Sequence, residues 1–376
     1  MKIKRSILVA LLLFPFSIVA HNASAQQDHC IKQIFPSKKL WINSAVWLDH
    51  SKVLIVDTLN SNLLVLDTFT GSLVPLSLKG FSADHFFPSS ILPVNKGFLL
   101  SLLDSQIVLL DQHLVPLPGK SISLKSSNPA GGIGALYDWT VTNGRITAYG
   151  AALIPDAGKP FTMGFLAAAL DDPTKVRVIL PDANFEYYTL GFSYFTSIEN
   201  DSYFIAMYDV PSLFKLPSNS VEPINLLATL PEPIQHIPRL QNLNAGPKSA
   251  EAIFREVEGL SLPVGLYSYG NFLYLLARQA EKTQDSQGTV WWLYQIDASV
   301  NKSSRERVVA KLRLPTSANH LTLLPGSDSF LLFEKGPVES LGAQRVLSTL
   351  RIPTSWFTNP ARSPLKSSRA TSALCK

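Results

Sequence analysis

The sequence predicts one all-β domain built from repeated antiparallel sheet units behind an N-terminal export signal. Three observations carry this. Short apolar runs separated by turn residues recur along the chain, and 26 prolines are scattered through it. Charged residues make up 16% against 46% apolar, where ordinary soluble chains carry about 25% charged. Apolar runs without polar alternation belong to strands covered on both faces. Scattered prolines disfavour long helices and suit many short strands.

The first element is the signal. Lys2, Lys4 and Arg5 form a positive start, Ile7 to Ala20 is apolar but for Pro15 and Ser17, and Ala23-Ser24-Ala25 closes the segment. That order is what a translocon and a signal peptidase read. The apolar stretch is shorter than the roughly 20 residues of a spanning helix. Residues 1–25 are therefore expected to be a bacterial-type signal peptide, cleaved after Ala25, giving a periplasmic or secreted protein with no membrane span in the mature chain. Loss of Lys2, Lys4 and Arg5 takes the formal charge from +5 to +2. Arg362, Lys366, Arg369 and Lys376 then account for the remaining excess, leaving residues 26–357 at −2. No basic face remains to follow a phosphate backbone, so nucleic acid is not an expected partner.

The clearest unit runs from Ala45 to Leu78. Lys52-Val-Leu-Ile-Val-Asp57 reads as a strand, Thr58 to Asn62 as a turn, and Leu63-Leu-Val-Leu-Asp67 as the next strand. Thr68-Phe-Thr-Gly71 turns the chain again, into Ser72 to Leu78. Spacing of this kind suggests a meander. Further leading strands begin near positions 98, 145, 203, 272 and 330. Steps of about 45 to 70 residues suit four-stranded units with loop insertions. Surface insertions are expected at Leu153 to Phe161, Pro231 to Ser249 and Gln279 to Thr289. The tail 358–376 is expected to be flexible.

Leu54-Ile-Val-Asp-Thr-Leu-Asn-Ser-Asn-Leu-Leu-Val-Leu-Asp67, followed by Gly71, resembles a blade of the NHL/TolB-like group of six-bladed β-propellers. The resemblance implies six four-stranded antiparallel blades packed face to face, which accounts for the unbroken apolar runs. Glu258-Gly259-Leu260 is similar to an inner-strand element of phytase-like esterase and lactonase-type propellers. In some of those the glutamate binds calcium, so the likeness implies a calcium-assisted hydrolase as the alternative function.

The segment before each leading strand is the candidate inner strand, which lines the axial channel. Superposing 42–46, 87–91, 136–140, 192–196, 257–261 and 319–323 sets Ser44, Ser89, Asp138, Tyr194, Glu258 and His320 at similar heights. Glu258 and Asp138 are the candidate calcium ligands, with His320 as a third member. The plainer expectation is that such side chains satisfy backbone groups around a water-filled channel. The aromatic group Tyr137, Trp139, Tyr187, Tyr188, Phe192, Tyr194 and Phe195 suits either core packing or a stacking surface. Cys30 and Cys375 form an isolated pair in an oxidising compartment and are expected to be bridged. No nucleophile-elbow or phosphate-loop pattern is present. The leading expectation is thus a non-catalytic exported propeller that binds a protein, peptide or glycan on its top face.

Overall fold

In the computed structural model, described residues span 32–354, save 35–37, 59, 79–80, 82–85, 95, 103–105, 124–131, 154–161, 182–193, 208–209, 233, 235–259, 283–286, 300–306, 317, 319 and 339–343. The signal segment, Cys30, Cys375 and the tail lie outside them, as do the expected insertions over 154–161 and 235–249.

Two short strands come first, β1 (Lys32–Gln33) and β2 (Lys38–Lys39). Blade 1 is β3 (Ile42–Trp47), β4 (Lys52–Asp57), β5 (Asn62–Asp67) and β6 (Leu73–Leu76). Blade 2 is β7 (Pro88–Val94), β8 (Gly97–Leu102), β9 (Gln106–Leu110) and β10 (Pro116–Ser123). Blade 3 is β11 (Gly132–Thr142), β12 (Arg145–Leu153), β13 (Thr162–Ala169) and β14 (Arg177–Pro181). Blade 4 is β15 (Tyr194–Ile198), β16 (Asp201–Ala206), β17 (Ser212–Leu216) and β18 (Ile224–Leu227). Blade 5 is β19 (Leu262–Tyr269), β20 (Phe272–Lys282), β21 (Gln287–Asp297) and β22 (Val308–Arg313). Blade 6 is β23 (His320–Pro325), β24 (Ser329–Val338) and β25 (Gln344–Pro353), completed by β1 and β2, which both pair with β25. Every blade is antiparallel, blades 1 to 5 are meanders, and the six form a β-propeller.

The core is divided among the seams between blades. Val46, Leu54 and Val56 pack on Ile91 and Leu100 between blades 1 and 2. Val53, Ile55 and Leu66 pack on Leu331 and Phe333 between blades 1 and 6. Successive residues of β4 therefore face opposite neighbours, which is why the strand reads as an unbroken apolar run. Phe165, Phe195, Phe204 and Phe214 stack across the seam between blades 3 and 4, with centroids 4.7 to 5.9 Å apart. Phe195 and Trp139 are thus packing residues.

Short turns join each inner strand to the second strand of its blade. Asn143 and Gly144 both take positive φ, 48° and 71°, as a two-residue hairpin with right-handed strand twist requires. Tyr269 is followed by another two-residue turn, Gly270-Asn271, in which only Gly270 takes positive φ, 56°, and which leads into Phe272. This corrects two expectations. The inner strand of blade 5 is Leu262–Tyr269 rather than 257–261, because the tight turn brings it directly up to β20. The expected loop from Gln279 to Thr289 is mostly strand, since β20 runs through Lys282 and β21 starts at Gln287.

Blade 6 closes the ring. Lys32 pairs with Arg351, Gln33 with Leu350, Lys38 with Val346 and Lys39 with Arg345. The Ile34 N–H adds a bond to the Thr349 carbonyl at 2.8 Å. Replacing Ile34 by proline removes that donor and is expected to destabilise the protein by about 1–3 kcal/mol. Urea unfolding of Ile34→Pro beside Ile34→Ala, which keeps the donor, separates the hydrogen bond from the lost side chain.

Candidate functional site

The inner strands β3, β7, β11, β15, β19 and β23 surround the axis, each with one edge that no strand of its own sheet covers. Such an edge presents main-chain groups that need partners. Side chains from neighbouring blades supply several of them. The Ser44 hydroxyl donates to the Ile91 carbonyl at 2.9 Å and accepts from the Ile91 N–H at 3.2 Å. Asn43 Nδ2 donates to the Ser89 carbonyl at 2.5 Å. Thr196 donates to the Ser268 hydroxyl at 2.8 Å, which in turn donates to the Ser197 carbonyl at 2.7 Å. The Tyr267 hydroxyl accepts from the Leu323 N–H at 3.2 Å, and Lys335 Nζ donates to the Ile42 carbonyl at 3.1 Å. Ser89 instead bonds within its blade, to the carbonyl and hydroxyl of Ser101.

Bulges re-aim these strands. The register shifts between Ile42 and Ser44, Pro88 and Ser90, Leu136 and Asp138, and Pro263 and Gly265. An extra residue at this level bends the inner strand and changes which side chains meet the channel.

Asp138 sits just past one of these bulges. Its Oδ1 accepts the Trp139 N–H at 2.9 Å, and the backbone of Phe195 on blade 4 also bonds its carboxyl. Surrounding protein nevertheless outweighs both bonds. Burial lifts the acid from 3.8 to about 7, because desolvation penalises the charged form. The residue keeps some accessible surface. Tyr194, from the next blade, is pushed upward by burial and then by Tyr267 and Asp138, while Arg278 acts in the opposite sense. Tyr267 is raised to about 12 by burial, with the Leu323 bond opposing. Gly265 makes room for it: a Cβ there would lie 2.5 Å from the Tyr267 hydroxyl oxygen. Asp138, Tyr194 and Tyr267 stand on the inner strands of blades 3, 4 and 5, the two phenols packed against the apolar clusters of the adjoining seams.

The other expected site residues are not gathered there. Ser44 and Ser89 lie on blades 1 and 2. His320 opens β23 on blade 6, opposite Lys335 in register. Blade 6 is across the ring from the Asp138 blade. Glu258 falls outside the described residues. Among the described residues, which exclude Glu258, no group of three His, Cys, Asp or Glu side chains is placed to hold a metal ion. Tyr267 and Lys335 escaped the sequence reading. The Gly270-Asn271 turn was the missed signal for Tyr267. For Lys335, the signal was a lysine ending the buried run Phe330 to Phe333.

No family model matches the chain, and no curated protein matches it. Among solved structures, a luciferin-regenerating enzyme is similar at 13% identity over 85% of this chain and 94% of its own, with a TM-score of 0.45. Regucalcin of Agrobacterium tumefaciens, described as a calcium-binding protein, is 11% identical over 86% and 95%, with a TM-score of 0.44. Virginiamycin B lyase of Staphylococcus aureus is 11% identical over 85% and 98%, with a TM-score of 0.43. At this distance the likenesses carry no argument about function.

Two titrations follow from the buried groups. Asp138 binds its proton more tightly folded than unfolded, so its contribution to stability is greatest below pH 4 and is lost as pH rises to about 7. Asp138→Asn should match wild type near pH 4 and exceed it by on the order of 2–4 kcal/mol at pH 8. Lys335 is lowered from 10.5 to about 8 by burial alone. The folded state prefers its neutral form, so its favourable contribution is present above pH 10.5 and lost as pH falls through 8. Lys335→Met should raise stability at pH 7 by on the order of 3 kcal/mol, the gain shrinking toward pH 10. Urea midpoints across pH 4–10 check both.

Proposed function

We propose that the protein is an exported, non-catalytic propeller that binds a glycan, peptide or protein partner on the face where its inner strands begin. The asymmetry of its connections supports this reading. The outer-to-inner crossing from β22 to β23 needs only the residues between Arg313 and His320. The equivalent crossings run from Leu76 to Pro88, Pro181 to Tyr194 and Leu227 to Leu262. All leave from one face of the ring, whereas the opposite face carries the tight hairpins at Asn143-Gly144 and Gly270-Asn271. Extra chain on one rim of a rigid scaffold is where binding residues concentrate. Phe87, exposed and directly ahead of β7 on that rim, supplies an aromatic contact.

A non-catalytic role is further supported by the inner-strand hydroxyls, which bond to neighbouring backbone rather than to a base. No helix among the described residues is long and apolar enough to cross a membrane.

Screening the mature protein on glycan and peptide arrays, followed by hydrogen exchange with each bound hit, tests the reading. Protection is expected along 57–61, 86–90 and 314–321, and Phe87→Ala should weaken binding about tenfold. Protection confined to the hairpins at 143–144 and 270–271 would overturn the assignment of the face. Multiple-turnover hydrolysis of a lactone or ester panel, abolished by Asp138→Asn, would overturn the non-catalytic reading.

A further inference from the structure

Four inner strands, β3, β7, β11 and β19, carry a bulge near the end at which they begin, and the bulge marks a common level on that face of the ring. The second strands can be measured from it. In blades 1 and 2 they stop there: β4 ends at Asp57, opposite Ile42, and β8 ends at Leu102, opposite Pro88. In blade 3 the second strand runs on past the Leu136–Gly150 pair through Ala151, Ala152 and Leu153. Blade 6 has no bulge, but β24 continues past the His320–Lys335 pair to Val338. Three further residues of strand are about 10 Å. Blades 1 and 2 therefore form a low sector between two taller neighbours.

Two aromatic residues hold equivalent places on the floor of this sector. Trp41 directly precedes β3, and Phe87 directly precedes β7. Bonds across this seam join Asn43 to Ser89 and Ser44 to Ile91, an offset of 46 or 47 residues. The same offset sets Trp41 beside Phe87. Phe87 is 45% exposed and Trp41 is half-buried. Neither belongs to the apolar clusters of the seams around blades 1 and 2, whereas Phe86, the next residue, does. The exposed Asn43 amide gives one proton to the Ser89 carbonyl and has a second to offer. The Trp41 indole N–H is a further donor. Asp57 is buried, and its oxygens accept the Trp41 main-chain N–H at 3.0 Å and the Asn60 amide at 2.5 Å.

The floor thus presents ring faces and N–H donors, while the hydroxyls of Ser44, Ser89 and Ser90 are already bonded to protein. A sugar ring brings several hydroxyls that both give and accept, more than this floor can meet. A proline-rich segment in the polyproline II form brings the matching set: apolar rings, solvated carbonyls and few N–H groups. Its conformation is largely fixed before binding, so little order is lost when it docks on aromatic side chains. We propose that Trp41, Phe87 and Asn43 form a docking site for a proline-rich segment of a partner protein. The aromatic faces take its pyrrolidine rings, and the two side-chain N–H groups take its carbonyls. This rests on the binding role proposed for the same face and names the class of partner.

Calorimetry and tryptophan fluorescence with decaproline as the probe test the site on the full mature chain. Binding is expected, with a blue shift of the emission that Trp41→Phe abolishes. Trp41→Ala and Phe87→Ala should each weaken binding about tenfold. Trp41→Phe, which keeps a ring and removes the N–H, should weaken it about fivefold. Tyr269→Ala, which removes an exposed aromatic from the opposite face, should leave affinity unchanged. Chemical-denaturation midpoints show that each variant remains folded. Absence of decaproline binding would overturn the proposal, as would affinity untouched in both alanine variants, equal weakening by Tyr269→Ala, or tighter binding of cellotriose than of decaproline. If decaproline fails while an array hit is still protected over 86–90 and weakened by Phe87→Ala, the proline-rich partner falls and the wider binding role stands.

Discussion

In a ring of radial sheets the strand nearest the axis has an open edge. Its outward side is paired and its faces are packed against the adjoining blades, but its inner main-chain groups look onto a narrow channel. Leaving such groups without partners costs about 1–3 kcal/mol each, and the ring contains six of these edges. Ser44, Asn43, Ser268, Tyr267 and Lys335 reach across seams to satisfy them. The identity of the residues around the channel is therefore set first by the needs of the backbone. Whatever chemistry the channel offers is what remains after those needs are met.

The seams and the channel impose opposite demands, and the titratable groups lie where the two meet. Seam packing is dry: Leu54, Leu331 and Phe204 have no accessible surface. The inner strands carry half-buried polar side chains, Ser44, Ser89 and Asp138 among them. Asp138 and Lys335 stand at the boundary, each with its charged form disfavoured by burial and only main-chain partners to compensate. They lie on blades 3 and 6, across the axis from each other. Each shifts toward neutrality by the same physics, one by holding a proton and the other by releasing it.

How far the sequence disclosed this depended on burial. The second strand of every blade was legible: β4, β8, β16, β20 and β24 are covered on both faces and read as plain apolar runs, and β12 follows the Asn143-Gly144 turn. Inner strands were harder. They mix half-buried polar and apolar residues, as in Tyr194 to Ile198, and have no clean period. In blade 5 the even spacing of the six segments set the inner strand too early, at 257–261, although Gly270-Asn271 marks the end of Leu262–Tyr269. The closing strands gave no signal of their own. Lys32–Gln33 and Lys38–Lys39 are polar dipeptides at a sheet edge, and only the pairing with β25 makes them strands.

That last pairing bears on how the molecule assembles. Blades 1 to 5 each form from contiguous chain, with neighbouring strands joined by hairpins, so their contacts are local and form early. The closing sheet joins Lys32 to Arg351, and must wait until nearly the whole polypeptide is present and threaded into a ring. Until then Leu40, Ile42, Leu331 and Phe333 have no cover for the faces they bury at closure. The blade 6–blade 1 seam is accordingly the last to form and the first to part. A chain caught before closure would expose that apolar pair of faces to the nearest copy of itself, and the rate of closing, more than the stability of any blade, sets how much protein escapes that fate.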